Sequence, residues 1–87
     1  MNAKRYVIQR TFPAGALDAV TPEAKKVVNA NNQSVGVTWE HSYANADKTK
    51  TFCIYWGPSE AAIREAARLN GLPVDSVTEV PVLMMPN

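Results

Sequence analysis

The sequence predicts one α+β domain whose elements run strand, helix, strand, strand, helix, strand. Three observations carry that prediction. Residues 35–43 and 51–56 are β-branched and aromatic, and the turn formers Asn45-Ala46-Asp47-Lys48 stand between them, which reads as a hairpin. Thr21-Pro22-Glu23 and Ser59-Glu60 each supply a hydroxyl cap and an acid in the first turn, marking two helix starts on either side of that hairpin. The whole chain is 87 residues, enough for one domain, residues 1–87, and no more.

Taken in order, Lys4 to Thr11 (KRYVIQRT) is the first strand, broken by Phe12-Pro13-Ala14-Gly15. The helix opening at Thr21 has Pro22 at its first position and a narrow apolar stripe of Ala24, Val27 and Val28. Asn29, Asn31 and Asn32 are weak helix formers, so the helix is expected to end raggedly, no later than Gly36. Val35 to Tyr43 alternates, which places Val35, Val37, Trp39, His41 and Tyr43 on one face and Gly36, Thr38, Glu40 and Ser42 on the other. Thr51 to Trp56 is its hairpin partner. The helix after Ser59 turns Ile63, Ala66 and Ala67 inward and leaves Glu60–Arg64 and Glu65–Arg68 pairs on a solvated face. Asn70-Gly71-Leu72-Pro73 stops it, because glycine accepts the left-handed C′ position and proline forbids continuation. Ser76 to Leu83 is the last strand, at a sheet edge because Pro81 cannot donate to a neighbour. This order is the split βαβ of ferredoxin-like folds: an antiparallel four-stranded sheet, the second and last strands at its edges, both helices on one face. The other face keeps large apolar side chains, so a homodimer packed sheet to sheet is expected.

Composition narrows the partners. The net charge is +1 and no run of Lys or Arg exceeds two residues, which argues against nucleic acid as the ligand. The longest apolar stretch, Val80 to Met85, is far below the ~20 residues of a membrane span. The opening residues Met1 to Arg5 run into a strand with no apolar leader, and the single cysteine, Cys53, rules out an internal disulfide, so a cytoplasmic setting is expected.

Two constellations could carry chemistry. His41 is the only histidine and the only side chain whose ordinary pKa lies near neutrality. In a hairpin register centred on Asp47 it faces Cys53; one residue of slip puts it opposite Phe52 or Ile54. Two ligands are too few for a structural zinc site, which wants four, but a two-fold dimer could double them, and Glu40, Asp47 or water could complete an octahedral site for a metal such as nickel. The bland alternative is a half-buried histidine bonded to a neighbour and a small buried cysteine. Arg10 and Glu79 form the second constellation, on strands that can be adjacent. They are either a rim salt bridge worth less than ~1 kcal/mol or, with Arg10 buried, a clamp for a carboxylate or other anion. No nucleophile elbow, phosphate loop, paired cysteine motif or HExxH is present.

The segments Tyr6-Val7-Ile8-Gln9-Arg10-Thr11-Phe12-Pro13, Trp39-Glu40-His41-Ser42-Tyr43, Asp47-Lys48, Cys53-Ile54-Tyr55, Ala61-Ala62-Ile63-Arg64 and Gly71-Leu72-Pro73-Val74-Asp75 with Glu79-Val80 resemble a family of small bacterial domains of unknown function, one branch of which is described as nickel-binding or nickel-responsive. The resemblance implies a ferredoxin-like fold dimerising into an α/β barrel, with no established reaction. It carries over Arg10, His41, Ser42, Asp47 and Cys53 as site candidates.

The leading expectation is thus a small homodimeric binding domain for a ligand or a divalent metal. Arg10, His41, Ser42, Tyr43 and Glu79 are the expected ligand-binding residues and His41, Cys53 and Asp47 the metal-binding ones; no catalytic residue is named. The alternatives are a structural or partner-binding domain, and a cofactor-free monooxygenase or isomerase with His41 as base, the last resting on fold analogy alone.

Overall fold

The structure, a computed structural model, describes residues 3–87; Met1 and Asn2, the first residues of the expected leaderless start, lie outside them. Strand β1 (Lys4–Thr11) is followed by a short 3-10 turn (Ala16–Ala19), helix α1 (Pro22–Ser34), strands β2 (Thr38–Ala44) and β3 (Lys50–Gly57), helix α2 (Glu60–Asn70) and strand β4 (Ser76–Glu79). The sheet order is β2-β3-β1-β4, with every neighbouring pair antiparallel. This is the expected ferredoxin-like arrangement, with the second and last strands at the edges.

The core lies between the sheet and α2. Tyr6, Ile8, Cys53 and Tyr55 from the two central strands pack with Val37, Ile63 and Ala66. Alternation along β1 and β3 produces this face, since Tyr6 stands opposite Tyr55 and Ile8 opposite Cys53. Gly57 lets the helix come close: a Cβ there would sit 3.0 Å from Ile63 Cδ1 and 3.1 Å from Val37 Cγ2. Ser59 accepts from the Ala62 N–H to open α2. Gly71 closes it at φ 65°, where the Gly71 and Leu72 N–H groups reach back to the Arg68 and Ala67 carbonyls. The Glu60–Arg64 and Glu65–Arg68 pairs lie on its exposed side as expected.

Helix α1 differs from the sequence expectation. It does not fray at its asparagines but runs to Ser34, with Asn32 buried. The Asn70 side chain donates to Asn32 Oδ1 and accepts from Asn31 Nδ2, a ladder that ties the end of α1 to the end of α2. Its apolar stripe is not seated on the sheet, and Val27 is 60% exposed. The last strand is shorter than expected: it stops at Glu79, one bond continues from the Val80 N–H to the Arg5 carbonyl, and Pro81 has no N–H to extend the ladder. Val82, Leu83, Met84 and Met85 beyond it are exposed.

The strict alternation expected along the second strand is corrected by a bulge. Thr38 pairs with Trp56 and Trp39 with Tyr55, but His41 then pairs with Ile54, Ser42 with Cys53 and Tyr43 with Phe52. Glu40 is the extra residue, and everything after it changes face. Trp39 and Ser42 therefore share the helix-covered face, where the indole Nε1 donates to Ser42 Oγ. His41 and Tyr43 lie on the open face instead.

Because α2 is seated and α1 is not, truncations on the two sides should differ sharply. Ile8→Ala should cost about 2–5 kcal/mol, a large side chain removed from a closed core. Val27→Ala should stay within about 0.5 kcal/mol. Urea denaturation of the two variants checks this, and a costly Val27→Ala would mean that α1 is packed down.

Candidate functional site

The unseated helix leaves a cavity of about 740 Å³ between α1 and the sheet. Leu17, Val20, Ala24, Val27 and Val28 line one wall; Trp39, Cys53 and Tyr55 line the sheet side; Leu69, Asn70 and Leu72 close the end near α2. A volume of this order suits a small organic molecule.

Arg10 is the polar group of this apolar space. Its place on β1, two residues beyond Ile8, turns it toward the helices, where it is 2% exposed. One guanidinium nitrogen donates to the Pro73 carbonyl at 2.8 Å, and Cζ lies 5.7 Å from the Tyr55 ring centroid. Among the described residues no carboxylate pairs with it. The expected Arg10–Glu79 pair does not form, because the β1–β4 register puts Glu79 opposite Tyr6, four residues away. A buried cation without a counterion is costly, several kcal/mol before compensation, and here the neighbouring space is empty of protein. Burial pushes the Tyr55 hydroxyl up from its ordinary value, the Arg10 charge pulling the other way, so the phenol beside the guanidinium keeps its proton at neutral pH.

The open face carries a second cluster. Glu40, displaced by the bulge, accepts from Trp56 Nε1 at 2.6 Å and meets His41 Nδ1 at 2.8 Å. Arg5 lies 4.6 Å over the Trp56 ring. The Trp56 bond, with the charges of His41 and Arg5, holds the Glu40 carboxyl below its usual range. Tyr43, 65% exposed, sets its ring edge-on to His41, centroids 5.1 Å apart, and its stretch of β2 forms the cavity rim.

The expected metal ligands are thus kept apart within a single chain. His41 points from the open face; Cys53, opposite Ser42, points to the cavity side, its Sγ 3.5 Å from Thr51 Oγ1. Asp47 sits in the β2–β3 turn, where its carboxylate accepts from the Thr49 N–H and hydroxyl, bonds that lower its pKa. Among the described residues no three His, Cys, Asp or Glu side chains gather to hold a metal. The side chains of a single chain do not fit a nickel site. Of the expected ligand-binding residues, Arg10, Ser42 and Tyr43 border the cavity while His41 and Glu79 do not. The asparagine ladder and the Glu40–Trp56 bond were not anticipated; three asparagines within one helix were the available sign of a tertiary polar contact.

Comparison with known proteins agrees with this fold. The model of the family described as "Nickel responsive protein SCO4226-like" matches residues 6–80. The crystal structure of SCO4226 from Streptomyces coelicolor A3(2) is similar over 92% of this chain and 99% of that one, with a TM-score of 0.74 and 20% sequence identity. No curated protein matches the chain.

The raised Tyr55 pKa has a consequence for stability. The folded chain holds this proton to higher pH than the unfolded chain, so stability is complete below the ordinary phenol value of 10.0 and falls as pH rises past it. Thermal melts between about pH 9 and about pH 11 should show that loss, and Tyr55→Phe should make it shallower. An unchanged slope in the variant would mean the phenolate is tolerated where it stands.

Proposed function

The chain belongs to the nickel responsive SCO4226-like family, and from that premise we propose that it is a small homodimeric binding domain whose ligand is held in the cavity between the sheet and α1. The observation that carries this reading is Arg10, a buried guanidinium facing an apolar space with no carboxylate beside it. A structural arginine in a core of this size would be expected to find an acidic partner. The dimer is supported by the open face, where Val7, Ile54 and Trp56 are half-buried and Phe52 and Tyr43 exposed, and by the exposed apolar residues 82–85. A second copy is the simplest cover for that much apolar surface on a chain this short. A cytoplasmic setting suits the free, buried Cys53, and among the described residues no helix is long and apolar enough to cross a membrane.

The family description favours a second reading, nickel binding. On this fold it needs two copies: each open face presents one Glu40–His41 pair, and the reading requires a face-to-face pairing that sets the two pairs side by side, with water to complete six-coordination.

Both readings have direct tests. Light scattering after size exclusion should give twice the chain mass of 9.5 kDa; a stable lone protomer would remove the dimer and the nickel site with it. Nickel titration calorimetry should show binding that His41→Ala abolishes, and flat traces from both proteins would end the metal reading. For the cavity, the two tryptophans serve as reporters, since Trp39 lines it and Trp56 lies on the opposite face. Naphthyl probes should shift the Trp39 indole N–H signal in NMR spectra and leave that of Trp56 in place. Val27→Trp, which narrows the cavity from an exposed position, should suppress the shift. No shift with any probe would refute the cavity as a binding site.

A further inference from the structure

We propose that the cavity selects a monocarboxylate with an apolar body, the carboxylate on Arg10 and the remainder between α1 and the aromatic side of the sheet. The proposal rests on the cavity reading above and adds the ligand's chemical class. Three observations support it. The first is charge. Arg10 is 2% exposed, lines the cavity, and pairs with no acid among the described residues. An anion placed there replaces the missing counterion, and guanidinium and carboxylate match as two-pronged partners.

The second is the neighbourhood of that charge. Tyr55 keeps its hydroxyl protonated and can donate. Asn31 and Asn70, which also line the cavity, bring amide groups and no negative charge. Among the described residues no Asp or Glu borders the space, and the two other cations there, Lys25 and Lys48, are both exposed, which leaves Arg10 as the buried one. The buried polar groups at the site thus favour one negative charge and oppose none.

The third is the rest of the lining. Leu17, Val20, Ala24, Val27, Val28, Leu69 and Leu72 form a hydrocarbon wall along α1 and its flanks, interrupted by the exposed Lys25 and by Asn31 and Asn70, whose amides bond each other. A sugar phosphate or an amino acid would leave hydroxyls or an ammonium unpaired against that wall, at a cost of about 1–3 kcal/mol for each buried group. A hydrocarbon or aromatic body leaves none. Along α1 the lining runs from Ala24 to Asn31, roughly 10 Å at the helical rise, which accommodates a bicyclic ring or a medium-length chain.

The test compares 2-naphthoate with 2-naphthamide, which share ring and shape and differ in charge, on the intact chain with the Trp39 indole signal as readout. The carboxylate should bind at least about tenfold more tightly, the discrimination expected of one charge-assisted pair in a desolvated site. That ratio should fall to near one in Arg10→Met and be partly kept in Arg10→Lys. Decanoate against decanamide repeats the comparison with a flexible body and separates aromatic from aliphatic acids within the class. Equal affinity for acid and amide would overturn the carboxylate assignment and leave the cavity reading standing. Failure of all four probes to move the Trp39 signal would overturn both. The wild-type comparison decides the matter even where an Arg10 variant does not fold.

Discussion

Helix α1 is fastened at one end only, and most of what is distinctive in this chain follows from that. The Asn31–Asn70–Asn32 ladder fixes its last turns to the end of α2, while the sequence before it offers nothing that reaches the sheet. Ala24 is short and Val27 and Val28 are compact, so the stripe is too shallow to close the gap above Tyr55 and Cys53. In a chain where about 60% of the unfolded surface is all that folding can bury, leaving one helix unseated is a substantial concession. The loss is tolerable because Ile63, Ala66 and Ala67 let α2 lie close to the sheet, with Gly57 removing the one Cβ that would hold it off.

The topology was legible in the sequence because it depends on local signals: the Thr21 and Ser59 caps, the Asn45–Asp47 turn, the Gly71 stop and Pro81 at an edge each act through a few neighbouring residues. The side chains of β2 were not legible, for an equally physical reason. Period-2 alternation assumes that every residue pairs, and the run from Val35 to Tyr43 satisfies it on paper. The bulge goes with a bond to the next strand, the Trp56 indole donating to Glu40, which no local pattern announces. Both registers weighed for the hairpin occur in it, one on each side of Glu40. His41 and Cys53, candidates for a shared site in one register, end on opposite faces.

Arg10 shows the same limit from another direction. Its place on the inward face of β1 follows from alternation with Tyr6 and Ile8, and a clamp for an anion was one of two readings open to it. Which reading applies depended on whether Glu79 came alongside. The β4 register decides that by placing Val77 opposite Ile8 and Glu79 opposite Tyr6, and register is a property of the assembled sheet.

The sheet therefore keeps two chemistries apart. On one face a cation sits in an apolar cavity; on the other a carboxylate, an imidazole and an indole form a surface cluster with Arg5 above it. Within four residues of β2 the chain contributes to both, Trp39 and Ser42 to the first, Glu40 and His41 to the second, and the bulge is what divides them. Sequences that fold well tend to agree with themselves at every level, and departures gather where function imposes them. Here the departures are a buried guanidinium with no acid beside it among the described residues, an asparagine whose buried Nδ2 has no partner among them, and a helix held off its sheet. All three lie on the cavity side, around α1 and the strands beneath it, while on the open face the buried Arg5 Nε is likewise without a partner among the described residues. A fold selected for stability alone could have narrowed that space of about 740 Å³ with several larger apolar side chains and dispensed with the charge as well. That it keeps both the charge and the room beside it is the strongest structural argument that the cavity is there to be occupied.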